Sequence, residues 1–513
     1  MFLVLFLFIS IIIFYFYATR NHDYWSKRNI KHDRPLPFFG NHLPNVLLRR
    51  SAVELGLEYY NKYKEEKIVG YYRGNTPELI IKDPDIIKQV LAQDFMHFYS
   101  RATLVKGHRK SLLYNLFLVN GDHWRLLRHR FSSAFSVSKI RAMFPLIEHC
   151  AEKLHKLSES LVDSNGDVYA WNLMARFSME IIGSCGFGVD LDTIANKNDN
   201  FIKLANKFFD KTKLQTFMLN FDDVFNISSV IPGFYSVKKE FEKAIIDITM
   251  SVREQRNFKP SGRNDFMDIL LEMEAMEKLE MESLFTKNPD GSPATVELEM
   301  DVYCIAAQVF VFLLAGFDTS AHVTSVLLHQ LAYHQEIQRN IQKEIDEVLS
   351  RYDNKLCYDA VNEMSLLSMS LNESIRILPP AGINRRKCTK KYTIPGTNVT
   401  IDPGVTVFIP TQAIHLDPKY YDNPLEFRPE RFSPEASKDR HRFVFMPFGE
   451  GPRKCPGNRL GQLQSMAGLA SLLRSYNVEP SAATKREHTF KKSSFLIQII
   501  EGGLPLRLTR RNK

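Results

Sequence analysis

Cysteine is scarce in this chain: six residues in 513, none in a CxxC pair. That spacing argues against a disulfide framework and for reduced thiols in a cytosol-facing protein. Punctuation is equally sparse. Beyond the N-terminus there is no Pro/Gly/Ser tract, no low-complexity run and no repeat at solenoid spacing. Nothing therefore divides the chain, although length alone would suggest about three domains. No histidine pair has metal-ligand spacing on a helix, and His123 and His129 read as surface groups. No dense basic tract accompanies the net charge of +9, from 67 basic and 58 acidic residues. The excess suits an acidic protein partner or an anionic membrane surface, and nucleic acid is not indicated. Gly183-Ser184-Cys185-Gly186-Phe187-Gly188 lacks the G-x-G-x-x-G spacing of a nucleotide loop and reads as a helix end.

What is present begins at Phe2–Ala18, an unbroken apolar run of seventeen residues with Ser10 alone polar. As a helix it spans about 26 Å, close to the roughly 30 Å of a hydrocarbon core. Arg20, Lys27, Arg28, Lys31 and Arg34 follow it, which places the remainder on the cytoplasmic side. Cleavage as a signal peptide is disfavoured: no charged region precedes the run, and Phe16-Tyr17-Ala18 is too bulky for a cleavage site. The expected organisation is an anchor at 1–19, a basic, proline-rich linker at 20–41, and one domain over 42–513.

Five of the six cysteines (Cys150, Cys185, Cys304, Cys357 and Cys388) fit the ordinary role of a structural thiol. Cys455 does not. It lies in Phe448-Gly449-Glu450-Gly451-Pro452-Arg453-Lys454-Cys455-Pro456-Gly457. Glycines at 449, 451 and 457 let backbone pass under a large flat cofactor and adopt left-handed dihedrals. Backbone N–H groups and the cations at 453 and 454 favour a thiolate. Phe448 can pack beneath such a ring, and Arg453 can pair with a cofactor carboxylate.

From Thr295 to about Ser350 the apolar pattern is helical, and it carries Ala315-Gly316-Phe317-Asp318-Thr319-Ser320. Hydroxyls that bond back to the preceding turn open such a helix into a groove. Glu373 and Arg376 stand at i and i+3 of another helix, stopped by Pro379-Pro380. Trp124 and Arg128 share a helix face. The Met and Glu cluster from Glu272 to Met281 reads as a solvated helix face.

The Cys455 decapeptide resembles the haem-binding loop of the cytochrome P450 family, and the other motifs follow in that family's order over nearly the whole chain. The resemblance implies a mainly α fold with small β-sheets (α+β) and a haem b cofactor with Cys455 as the axial ligand to iron. It gives Phe448, Gly449, Arg453, Gly457, Trp124, Arg128, Arg386 and Ala315 cofactor-binding roles, the register between Arg385 and Arg386 being open. Thr319 becomes a hydrogen-bond donor in dioxygen activation and Asp318 a proton feeder. Glu373, Arg376 and Arg431 (the last in Phe427-Arg428-Pro429-Glu430-Arg431-Phe432) become a buried structural network.

The implied activity is monooxygenation of apolar small molecules. The chain has no flavin or nicotinamide motif, so electrons would come from NADPH through a separate cytochrome P450 reductase, with cytochrome b5 as a further partner. The implied place is the endoplasmic reticulum membrane. Details of the cysteine loop and of Asn384-Arg385-Arg386-Lys387-Cys388 most resemble insect members that handle xenobiotics. Substrate-facing segments are expected at Ser100–Gly121, Asn206–Gly233, Val311–Thr319, Ala381–Ile383 and Ser493–Ile497, with Phe208, Phe209, Phe217 and Phe312 among the contacts. Two other classes share the cysteine loop: a haem-thiolate isomerase or dehydratase, which often loses the acid–threonine pair kept here, and a non-catalytic haem carrier or sensor.

Overall fold

The computed structural model describes residues 2–102, 109–191, 193–194, 212–225, 227, 239–276, 278–494 and 497–512. Phe208, Phe209, residues 495–496 and most of 206–233 lie outside them. Helices dominate, and eleven strands form four small sheets among the described residues, as the α+β expectation required.

The organising element is the helix Val302–Tyr333, capped by the Asp301 carboxylate, which accepts from Cys304 N at 2.8 Å. Its length and composition would suit a membrane span. In the fold it is instead the core, packed on Ala170–Ile181, Lys239–Gln255, Ser365–Ile377 and Asn458–Leu473. Gly316 has a packing role in this arrangement, because a Cβ there would lie 2.3 Å from Ile182 Cδ1. A side chain at this position would have to displace the tip of Ile182.

The expected single helix from Thr295 is corrected at both ends. It breaks at His334, where Gln335–Ser350 begins afresh. At its start, Pro293–Glu299 is a strand (β5) paired antiparallel with Lys278–Lys287 (β4). The Glu272–Met281 cluster is likewise part helix end and part strand, since Phe266–Glu274 stops inside it and β4 begins at Lys278. Alternation decides the matter: Leu279 and Ser283 of β4 and Leu298 of β5 turn inward while their neighbours stay in solvent. That period of two overrides the helix propensity of Met, Glu and Leu. The Gly183–Gly188 stretch is the helix end expected, a wide turn over Ile182–Phe187 closed by Gly188.

The largest sheet has the order β1 (Ile68–Arg73), β2 (Thr76–Ile81), β9 (Thr406–Ile409), β6 (Asn384–Lys387), with β2 and β9 parallel and the other pairs antiparallel. β10 (Tyr476–Pro480), β11 (Pro505–Arg510) and β3 (Asp167–Tyr169) form the second sheet, and β7 (Tyr392–Thr393) pairs with β8 (Thr400–Ile401). The basic segment after the N-terminal helix packs on the first sheet. Trp25 is fully buried against Gly70 and donates its indole N–H to Tyr71 O at 3.1 Å, and Arg28 pairs with Asp402 at 2.6 Å. The apolar helix Phe2–Thr19 leaves its large side chains exposed, Phe2 by 83% and Phe16 by 67%.

Candidate haem site

The cysteine loop is shaped by two left-handed glycines, Gly449 (φ 69°) and Gly451 (φ 76°). At Gly451 a Cβ would sit 1.8 Å from Leu91 O, so the loop is pressed against backbone that cannot move aside. Gly457 departs from the sequence expectation: its φ is −86°, and it serves as the N-cap of Asn458–Leu473. That helix starts three residues after Cys455, so its unpaired N–H groups and positive dipole end are close to the sulfur. Cys455 N donates to Phe448 O at 2.9 Å and closes the loop.

The thiol itself is pushed up by burial, against the opposing pull of the Gly457 N–H and the cations Arg101, Arg128 and Lys454. Burial prevails, so these groups alone do not hold the sulfur as the thiolate that its sequence surroundings suggested. A metal cation at the sulfur would supply the missing charge.

Four arginines gather beside the loop. Arg386, 1% exposed on β6, donates to Asn384 Oδ1 at 2.9 Å and Arg385 O at 2.8 Å, and its Nε has no partner. Arg453 donates Nε to Tyr99 O at 3.0 Å and Nη2 to Val119 O and Asn120 Oδ1, both at 2.9 Å. Its guanidinium lies 4.0 Å over the Trp124 ring, and its Nη1 is unpartnered. Arg101 donates to Arg453 O at 3.0 Å, stacks on Phe117, and leaves Nε unpartnered. Arg128, half-buried, lies one turn beyond Trp124 on Gly121–Ala134.

Burial drives all four below the ordinary guanidinium range, and mutual repulsion adds to this at Arg101, Arg386 and Arg453. Among the described residues no aspartate or glutamate is paired with any of them. A buried cluster of like charges with unused N–H donors is stable only with an anion among them. The two propionates of haem b, on a flat ring that the glycine loop admits beside Cys455, fit this donor set.

Strand alternation puts the two arginines left open by the sequence on opposite faces of β6. Arg386 faces the cluster, whereas Arg385 points to the opposite side and pairs with Glu78 at 2.8 Å. Arg101 was not anticipated, since it stands in no spaced motif; only its place inside the expected substrate-facing segment hinted at the region.

On the central helix, Thr319 is half-buried and donates its hydroxyl to Ala315 O, the back-bond expected of it. Asp318 turns the other way. It is 4% exposed, with Trp171 nearby, and its Oδ2 has no partner; burial pushes its carboxyl up to about 6. The acid and the hydroxyl therefore occupy adjacent positions and different surroundings. Phe312 does not face the site. It stacks on Phe266 at 4.6 Å and Phe135 at 6.3 Å within the core. Phe217 is 36% exposed on the outer face of Lys213–Phe225. Ile383, Ser494 and Ile497, all in expected substrate-facing segments, share a cleft with Ala52, Val53 and Phe490. His123 is half-buried between Tyr114 and the solvent, unlike exposed His129, so it is only partly a surface group.

Glu373 and Arg376 are fully buried and joined by two hydrogen bonds, 2.7 and 2.8 Å long. Arg431 Nε approaches Glu373 Oε1 to 3.3 Å without hydrogen-bond alignment; its stronger partner is Asp422, at 2.6 Å, a residue the sequence motif did not reveal.

The family model described as Cytochrome P450 matches residues 31–505. The chain is 36% identical to cytochrome P450 6B6 of Helicoverpa armigera over 481 residues, 93% of this chain and 92% of the relative. It is 34% identical to cytochrome P450 6B1 of Papilio polyxenes over 503 residues, 97% of each. Cytochrome P450 6a2 of Drosophila melanogaster is 32% identical over 524 residues, 99% of this chain and the whole of the relative.

Proposed function

This chain belongs to the cytochrome P450 family and is a haem b monooxygenase, and from that premise we propose that it oxygenates apolar small molecules at the endoplasmic reticulum membrane with electrons drawn from NADPH through a separate reductase. The observation that carries the site assignment is the arginine cluster beside Cys455, with Arg386 and Arg453 buried and no carboxylate paired with any of the four among the described residues. Cys455 would hold the iron through its sulfur. Arg386 Nε, Arg453 Nη1 and Arg101 Nε, with Trp124 and Arg128, would hold the propionates. Phe448, Gly449, Gly457 and Ala315 would border the ring. Bound haem supplies the activation of dioxygen and the delivery of one oxygen atom to substrate, the other leaving as water.

The chain's own residues supply the rest. Asp318 holds a proton on a carboxyl whose raised pKa lets it both keep and release that proton near neutrality. Thr319, by turning its hydroxyl from Ala315 O, offers a hydrogen bond beside the haem face. The cleft that Ile383 and Ile497 share with Ala52, Val53 and Phe490 offers apolar contacts of the kind an apolar substrate would use. The Glu373–Arg376–Arg431 network holds the fold beneath the cysteine loop.

The exposed apolar helix Phe2–Thr19 supports a membrane anchor, and the excess of positive charge supports docking of an acidic redox partner, the reductase and cytochrome b5. The insect relatives favour substrates such as plant toxins, insecticides or the insect's own lipids and hormones. The test is NADPH oxidation by the purified protein with reductase, across a panel of such compounds, with products identified by mass spectrometry. Substrate-dependent oxygenated product is expected, and Thr319→Ala should divert electrons to peroxide. No product under any condition would overturn the substrate reading.

A further inference from the structure

Glu450 carries the only negative charge of the cysteine loop, residues 448–457, which also holds Arg453 and Lys454. It stands between the left-handed Gly449 and Gly451 and is 5% exposed. A carboxylate buried to that depth is costly unless cations meet it. Two do. Its Oε1 accepts from Lys454 Nζ at 3.2 Å, and its Oε2 accepts from Arg442 Nη2 at 2.7 Å. The two cations differ in depth, the Arg442 side chain being 70% exposed and that of Lys454 32%.

Lys454 immediately precedes Cys455, and its backbone N–H donates to Gly451 O at 2.9 Å, which fixes it in the turn. Its charge acts on the Cys455 thiol, as do those of Arg101 and Arg128. Among the described residues neither arginine is paired with a carboxylate, whereas Lys454 is tied to one from its own loop. In the haem-loaded protein the propionates would balance Arg101 and Arg128, and Glu450 balances Lys454. An iron held at the sulfur gains one negative charge on reduction. Nearby cations favour that gain and nearby anions oppose it.

We propose that Glu450 sets the reduction potential of the bound haem: its carboxylate, held to Lys454 and Arg442, offsets the cation beside the Cys455 sulfur and makes the iron harder to reduce. The proposal rests on Cys455 as the iron ligand, so the ferrous carbon monoxide spectrum is recorded for every variant and judges that assignment separately. Spectroelectrochemical titration of the full-length haem protein reads the potential. Glu450→Gln keeps the shape and removes the negative charge. It should favour the ferrous form about fivefold, a rise of about 40 mV for one electron. Lys454→Gln should move the equilibrium about fivefold the other way, and the double variant should fall between the two. Arg442→Gln removes the same charge from a site in solvent, and should lower the potential by less than Lys454→Gln.

A purely structural role would not give opposite signs, because both single substitutions break the same contact. Shifts in one direction for both, an unmoved potential in Glu450→Gln, or a larger effect from Arg442 than from Lys454 would each overturn the proposal. Loss of the thiolate band in Glu450→Gln would do so too, by showing that the residue holds the ligand. If Glu450→Gln retains no haem, Lys454→Gln is compared with Lys454→Arg. Gln should lower the potential, and Arg, which keeps the charge, should leave it near the parent value; equal falls would overturn the proposal. A parent protein without the thiolate band would remove the ligand assignment and this proposal with it, whereas a normal band with unmoved potentials would fall on Glu450 alone.

Discussion

Replacing Glu373 by Gln tests what the buried Glu373–Arg376 pair contributes to the stability of the haem-loaded protein. The carboxylate accepts from Arg376 Nε at 2.7 Å, Arg376 Nη2 at 2.8 Å and Arg428 N at 3.0 Å, with Arg431 Nε at 3.3 Å as an added ion pair. Glu373 and Arg376 are fully buried, so neutralising one strands the other. Breaking a buried pair in this way costs about 3–5 kcal/mol. The lower end applies, because both arginines keep other acceptors. Arg376 retains His415 O and Pro424 O, each at 2.8 Å, and Arg431 retains Asp422 Oδ1 at 2.6 Å. A loss of about 3 kcal/mol is a large share of the roughly 5–15 kcal/mol by which native domains are stable.

The assay is thermal inactivation of the haem-loaded protein, followed as loss of haem absorbance at several temperatures, because a chain of this size is governed by its unfolding rate. Arg431→Ala is the internal control. It leaves Glu373 with both Arg376 bonds and the Arg428 N–H, and should cost distinctly less. A Glu373→Gln variant as durable as the parent, or less impaired than Arg431→Ala, would refute the reasoning.

Gly451→Ala should fail to load haem, because its Cβ would meet Leu91 O at 1.8 Å, whereas Gly449→Ala meets only Asn384 Nδ2 at 3.4 Å and should load haem with a loss of about 1–2 kcal/mol from its left-handed backbone; the haem-to-protein ratio checks both. Asp318, with a carboxyl raised to about 6 from an ordinary value of about 3.9, binds more protons folded than unfolded, so its contribution is fully present below the ordinary value and is lost as pH rises through about 6. Asp318→Asn should therefore gain on the parent by roughly 2–3 kcal/mol between pH 4 and pH 7, read from denaturation midpoints; a constant gap across that range would contradict it. Arg386→Leu removes one uncompensated cation, so the haem-free protein should resist urea better while haem passes faster to apomyoglobin; a fall in both or a change in neither would show that the cluster is not held open for an anion.

The sequence made the cysteine loop legible because spacing there is dictated by contact with backbone and cofactor, as Gly451 against Leu91 shows. The central helix and its Asp318-Thr319 pair were legible for the same reason, yet the opposed surroundings of those two side chains were not, since Trp171 reaches Asp318 from a helix about 150 residues away. Local propensity misled at Glu272–Met281 and Thr295–Glu299: strong helix formers were recruited into a hairpin by pairing that only the tertiary fold supplies. The Arg385–Arg386 choice needed the pairing of β6 with β9 to fix which face each residue takes. Arg101 and Asp422 carry no local pattern at all. Their roles come from charges on distant segments, and a single sequence gives no signal of such pairings.

The most direct test of the whole account is the absorption spectrum of the ferrous carbon monoxide complex, taken for the parent protein and for Cys455→His. The parent should bind haem and show the long-wavelength Soret band of a thiolate-ligated iron, and the variant should lose that band while any haem it keeps absorbs like a histidine-ligated protein. A parent protein that takes up no haem, or a thiolate band that survives in Cys455→His, would contradict it.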